Sequence, residues 1–221
     1  MAFPLVHLMV AHRLAKAGGR RGAPDFLLGS VAPDAVHFRN ACRGAGMAEI
    51  GEKKKATHLC PETDEAWGQI TDNDAWLEKI GPLLELGGAF DLGYAAHILT
   101  DIHNNRTLWR EFRAGHPAEA KKGYQSGYYG DLWRIDAQLK NRNETEEICQ
   151  LLMRAKPRKY MNLVRKYELA RMKRNLLSVY GGGQQAPASP PASEEPPKFV
   201  SLGDMMDFVD GAAEFCAGFV F

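Results

Sequence analysis

The chain lacks an apolar run of bilayer length, any Cys-x-x-Cys pair and any strong imbalance of charge. Each absence excludes something. The first removes a membrane-spanning helix. The four cysteines, Cys42, Cys60, Cys149 and Cys216, stand far apart, which argues against a cysteine-based zinc site and against a disulfide scaffold. A formal net charge of +1 provides no overall field to attract nucleic acid or an acidic membrane surface. The basic clusters, Lys53–Lys55 and Arg154–Arg174, are local and read as solvated faces. The opening MAFPLVHLMVAHRLAKAGGRR has no basic segment ahead of its apolar run, so it does not read as a signal peptide. Together these absences predict a cytoplasmic protein with reduced thiols. Histidine is also absent after His116.

What is present is helical periodicity. The 221 residues, 45% of them apolar, suffice for one sizeable domain with a real core. Pro4 to Ala17 repeats Leu5, Leu8, Met9, His12 and Leu14 at helical spacings and ends at Gly18-Gly19. Asp25 can cap a short helix, FLLGSV, stopped by Pro33. Residues 39–56 read as an exposed loop. Further helices are predicted from Asn73 to about Leu86, over Phe90–Asn105, from Pro117 to about Lys140, over Glu144–Arg154 and over Arg158–Tyr180. No strand is convincing, so the predicted class is all-α, a multi-helix bundle. Residues 1–180 form the main domain. GGGQQAPASPPASEEPPK (181–198) reads as a flexible linker. Residues 199–221 then form a docking helix that begins with the cap pair Ser201 and Asp204. Its apolar face cannot be buried alone, so it should pack on its own domain or on another copy of the chain.

The stretch FDLGYAAHILTDIHNN (Phe90–Asn105) organises the rest. At about 100° per residue, His97, Asp101 and Asn104 line one edge of a helix that is otherwise apolar. Gly93 sits one turn earlier on that edge, with no side chain to block a close approach. A buried His and Asp pointing the same way need a partner. A divalent ion is one answer and a His–Asp hydrogen bond within the core is another. Other candidate ligands in chain order are His7, Asp34 and His58. Asp131 and Asp136, in YYGDLWRID, are further candidates; five residues apart, they share no helical face well.

GSVAPDAVHFR (Gly29–Arg39), KKATHL (Lys54–Leu59) and GYAAHILTD (Gly93–Asp101) resemble the zinc-dependent phospholipase C family, more closely its intracellular bacterial branch of phospholipase C/D-type hydrolases. The resemblance runs in order from His7 to about Asp136. It implies an all-α fold with zinc ions that hydrolyse phosphate esters. It makes Asp34, His58, His97 and Asp101 ligands of one metal, with Asp101 bridging to a second ion held also by His7. Asp131 or Asp136 would assist. Thr107 stands where secreted members carry a further histidine, so a three-ion cluster is not expected. The expectation is one or two ions, zinc first, with manganese, iron or nickel also compatible.

The function implied is metal-dependent hydrolysis of a phosphoester, phospholipase C/D-like, through activated water. Asp34 is the candidate to orient that water or take its proton. His37 and Asn104 are candidates to contact substrate, which would be a small phosphoester or a lipid head group. The alternative is a non-catalytic protein of the same fold, in which a metal staples the core and the tail helix recruits a partner, a second copy included. HD-type phosphohydrolases need an adjacent His-Asp dipeptide, which is missing here.

Overall fold

Two glycines let a pair of helices meet backbone to backbone. The computed structural model describes residues 3–19, 22–39, 53–62, 70–182 and 196–221. Helix α1 (Pro4–Ala17) leads through a turn to α2 (Ala23–Gly29) and a 3-10 turn (Pro33–Phe38). Further on, α5 (Ala89–Arg106) runs through the middle. It is buried on nearly every side from Phe90 to Asn105, as expected of a helix that is apolar all round. Where α2 crosses it, a Cβ on Gly29 would collide with the Phe90 carbonyl, and a Cβ on Gly93 with the Phe26 carbonyl. Each glycine thus lets the other helix's backbone in. The absence of a side chain at Gly93 serves this helix crossing.

Among the described residues the class is all-α, as expected; the one β-type contact is an isolated bridge between Tyr160 and Val164. Several helices are shorter than periodicity predicts. The segment from Asn73 divides into α3 (Asn73–Glu78) and α4 (Gly81–Leu86), because Pro82 has no N–H to continue the first helix. Asp72 caps α3, accepting from the Ala75 N–H at 2.9 Å. An unpredicted helix, α6 (Leu108–Gly115), follows the break at Thr107. The long helix expected from Pro117 is instead a single turn, α7 (Pro117–Ala120), then a 3-10 turn and α8 (Gly127–Leu139). Gly123, at φ +54, takes the left-handed conformation that ends the first piece. Helix α9 (Asn143–Arg154) agrees with expectation, but α10 starts at Lys166 rather than at Arg158 and runs to Tyr180. There Glu168 caps the Arg165 N–H at 2.8 Å.

That same Glu168 fixes the Pro33–Phe38 turn. It is buried and takes both ends of the Arg39 guanidinium, at 2.6 and 3.0 Å. A bidentate pair of this kind is oriented as well as strong. It holds Asp34 at a set height beside α5.

Helix α11 (Leu202–Val220) begins with the expected capping box between Ser201 and Asp204. It lies against α1 and α5 of its own chain and buries Met205, Phe208, Val209, Ala212, Cys216 and Val220. The expected exposed loop falls mostly outside the described residues, at 40–52, as does the expected linker at 183–195. Residues 53–57 are helical, and Lys54 is buried there, against the expectation of a solvated lysine cluster. No helix among the described residues is long and apolar enough to cross a membrane.

The glycine crossing is testable. Gly93→Ala should cost at least about 1–3 kcal/mol through overpacking. Gly130→Ala, on α8 with open space around the new Cβ, should be neutral or stabilise by up to about 1 kcal/mol. Urea denaturation of both variants is the measurement; equal effects would contradict the crossing.

Candidate metal centre

The crossing of α2 and α5 also places a carbonyl. Ser30, one residue past α2, presents its oxygen to His97, whose Nδ1–H donates to it at 2.7 Å. His97 Nε2 then carries the lone pair and points away from the backbone. His58 repeats the pattern. It closes the helical turn over 53–57, and its Nδ1–H donates to the Lys54 carbonyl at 2.9 Å. Trp76 Nε1 holds the His58 carbonyl at 2.8 Å, and the Tyr94 hydroxyl donates to the Thr57 carbonyl. Imidazoles tied at Nδ1 to a backbone carbonyl, with Nε2 turned toward the cluster, are oriented as metal-ligating histidines are.

The two Nε2 atoms face each other. His58 Nε2 and His97 Nε2 are 3.1 Å apart, and Asp101 Oδ2 lies 3.6 Å from the second and 3.8 Å from the first. Ligand atoms about 2.0–2.1 Å from a tetrahedral zinc stand roughly 3.3–3.4 Å from one another. The three separations match that edge closely enough for small side-chain shifts to close it. Asp34 Oδ1 is 3.4 Å from His58 Nε2. The ring of His7 stacks on His97 at 3.7 Å between centroids, with Nε2 3.6 Å from Asp101 Oδ1.

Asp101 is the key group. It is 4% exposed, and neither carboxylate oxygen has a hydrogen-bond partner among the described residues. His7 Nδ1 is likewise without one. Burying a carboxylate that way is costly unless a cation joins it. His58 and His7 do not supply that cation at neutral pH. Burial pushes the His58 imidazole down to about 3, with Asp34 opposing and Lys54 adding to the shift. Burial also holds His7 well below the usual range, and the neighbouring His97 adds to the effect. Neutral imidazoles of this kind are metal ligands.

Lys54 was not foreseen. Its ammonium is 3.2 Å from Asp34 Oδ1 and 3.3 Å from His37 Nε2. Burial alone would raise the Asp34 carboxyl. The Lys54 charge and the contacts with His37 and His58 outweigh that and hold it well below the usual carboxylate range. The nearest signal in the sequence was spacing, since Lys54 lies four residues before His58 on the same helical turn. His37 has a side chain 44% exposed and marks the solvent side of the group. Asn104 is buried three residues beyond Asp101, outside these contacts.

Two expected ligands are elsewhere. Asp131 is buried, but its Oδ2 accepts the backbone N–H groups of Lys198, Phe199 and Val200 at 2.9, 2.7 and 3.2 Å, while Oδ1 pairs with Arg134 at 2.6 Å. It secures the chain entering α11. Asp136 accepts from the Tyr180 hydroxyl at 2.9 Å, and burial raises it to about 6. Neither reaches the cluster. His12 is structural, between Glu144 and Glu147 at 3.3 Å each. His103 packs on Phe208 and Phe215 of α11. A separate cleft of about 270 Å³, lined in part by His12, Lys16 and Arg154, shares no residue with the cluster.

The chain has no match among protein-family models, curated proteins or solved structures.

Two measurements follow from this geometry. Asp131→Asn and Asp136→Asn should leave metal content unchanged, whereas Asp101→Asn should reduce it at least tenfold; elemental analysis of desalted protein reads all three. The metal-free chain should also lose stability in mild acid. Below about pH 6.5 the unfolded chain protonates His58 while the folded one resists to about 3, so stability falls by about 1.4 kcal/mol per pH unit. His7 acts in the same direction. Asp136, raised to about 6, opposes them between that pH and about 4, because there the folded state binds the extra proton. Urea titrations from pH 7 to pH 5 in the presence of chelator should show the net loss, and a flat profile would contradict buried neutral histidines.

Proposed function

We propose that this chain is a metal-dependent hydrolase of phosphoesters. The observation that carries the reading is a buried Asp101 with two unpartnered oxygens, set against two imidazoles whose Nε2 atoms converge on it. His58, His97 and Asp101 would hold the ion. Three protein ligands leave a coordination position for water, the pattern of catalytic rather than structural zinc. When bound, the ion lowers the pKa of such a water toward about 7 and acts as a Lewis acid on the phosphoryl oxygens.

The chain's own groups do the rest. Asp34 Oδ1, 3.4 Å from His58 Nε2, is placed to accept a hydrogen bond from the attacking water and orient it. Because Lys54 keeps that carboxylate strongly acidic, it acts as an acceptor more than as a store for the proton. His37 stands on the solvent side, where an anionic ester would enter, with Lys54 buried behind it. Tyr124 and Tyr129 pack on each other at 4.7 Å. Burial and the Asp101 carboxylate raise both phenols, which puts them within electrostatic reach of the cluster. The order of Pro-Asp turn, isolated histidine and His-x3-Asp helix, similar to that of zinc-dependent phospholipases C, supports the same chemistry. Unpaired Cys60, Cys149 and Cys216 support a reducing, cytoplasmic setting.

A second reading has its own observation. His58, His97 and Asp101 are all almost fully buried, which suits an ion that staples the core without catalysis. Hydrolysis separates the two. Purified protein supplied with zinc or manganese should cleave bis(4-nitrophenyl) phosphate, and His97→Ala should lose at least about a hundredfold of that rate. Stoichiometric metal with no turnover on any phosphoester would favour the staple, and a chain that binds no metal would exclude both.

A further inference from the structure

Among the described residues, two groupings of side chains bring ligand atoms together: His58, His97 and Asp101, and His7, Asp34 and His97. They share His97. That residue has one nitrogen to offer, because its Nδ1–H is committed to the Ser30 carbonyl at 2.7 Å. One lone pair serves one ion, so the two groupings exclude each other. A second ion would then have to rest on His7, on Asp101 Oδ1 and on Asp34. Asp34 Oδ1 already faces the Lys54 ammonium at 3.2 Å.

Lys54 is no chance neighbour. It is only 8% exposed, and its backbone carbonyl is the acceptor that orients His58. The helical turn that presents the ligand therefore presents the ammonium as well. We propose that Lys54 takes the place of a second metal ion. The centre holds a single divalent ion at His58, His97 and Asp101, and Lys54 stays beside Asp34 to receive the anionic ligand.

This rests on the metal reading above and sharpens the substrate class. Two carboxylates, one ammonium and one divalent ion leave a single positive charge in a largely buried site. A phosphodiester monoanion neutralises it; a phosphomonoester dianion would leave excess negative charge where little water can solvate it. The ligand class is therefore a singly charged phosphodiester, whether a lipid head-group ester or a free diester.

Metal titration of the full chain tests this without recourse to activity. Protein stripped with chelator, loaded with excess zinc and desalted should retain one ion per chain by elemental analysis. Lys54→Met should retain two, since Asp34 is freed, and Lys54→Arg, which keeps the charge, should retain one. Two ions in the wild type would overturn the proposal, whether or not either variant folds. So would a folded Lys54→Met that still holds one. No ion in the wild type would remove the metal reading and this inference together. One ion without hydrolysis would sink the enzyme and leave the inference standing. On active wild-type protein, vesicles carrying a phosphodiester head group and a soluble diester, bis(4-nitrophenyl) phosphate, identify the source of the ligand. Faster cleavage of 4-nitrophenyl phosphate than of the diester would overturn the charge argument.

Discussion

The hydrogen bond from His97 Nδ1 to the Ser30 carbonyl joins the packing of this protein to its chemistry. It exists because α2 and α5 touch backbone to backbone, and that contact exists because residues 29 and 93 have no side chain. An ordinary helix pair packs with axes about 8–10 Å apart, held off by side chains. At such spacing the Ser30 oxygen would not reach an imidazole on the neighbouring helix. Widening the crossing would free His97 to rotate or change tautomer, and its bare nitrogen would no longer be aimed at Asp101. The site is therefore a property of the core and cannot be loosened independently of it.

The other buried carboxylates show how unusual Asp101 is. Asp131 accepts three backbone N–H groups and an arginine. Glu168 takes a bidentate guanidinium and a helix N–H. Asp136 has a tyrosine hydroxyl and is raised toward its neutral form. In each case the protein answers the charge with donors or weakens it. At Asp101 it supplies neither, although its surroundings include the imidazoles of His7 and His58, which burial discourages from protonating. A chain that satisfies Asp131, Asp136 and Glu168, yet leaves both Asp101 oxygens without a donor among the described residues, has left room for a cation. Lys54 meets part of that need at Asp34, the edge of the cluster nearest solvent.

The part of the site legible in sequence was the part encoded by helical period. His97 and Asp101 are four apart, which puts them on one edge of any helix, and an apolar surrounding buries that edge. His7, Asp34 and His58 could be listed as residue types but not positioned, since long-range packing alone brings α1, the 3-10 turn and the 53–57 turn to α5. Lys54 was hidden because a lysine among lysines in a polar stretch looks solvated; its burial depends on Asp34, twenty residues earlier. Asp131 and Asp136 were misplaced for a related reason. A buried acid on an amphipathic helix looks like a ligand until its true partners are known, and those partners, residues 198–200 and Tyr180, are far along the chain. The overlong helices near Asn73 and Pro117 came from period running past Pro82 and Gly123, where local backbone chemistry overrides it. The all-α class survived these errors because class depends on the sum of many periodic segments.

The tail bears on the site more directly than its distance in sequence suggests. Asp131 gathers the N–H groups of residues 198–200 just before α11, so the helix returns to the body at a defined point. From there α11 covers the side of α5 that carries Ala96 and Thr100, the residues immediately before His97 and Asp101. Cys216 lies 3.8 Å from the Ala96 carbonyl and 3.9 Å from the Thr100 hydroxyl. Water on that side would raise the local dielectric around Asp101 and weaken every charge interaction there. Because α11 excludes it, an ion at Asp101 would act in a medium where its charge is felt strongly. Asp131 thus holds in place the helix that keeps this side of α5 dry.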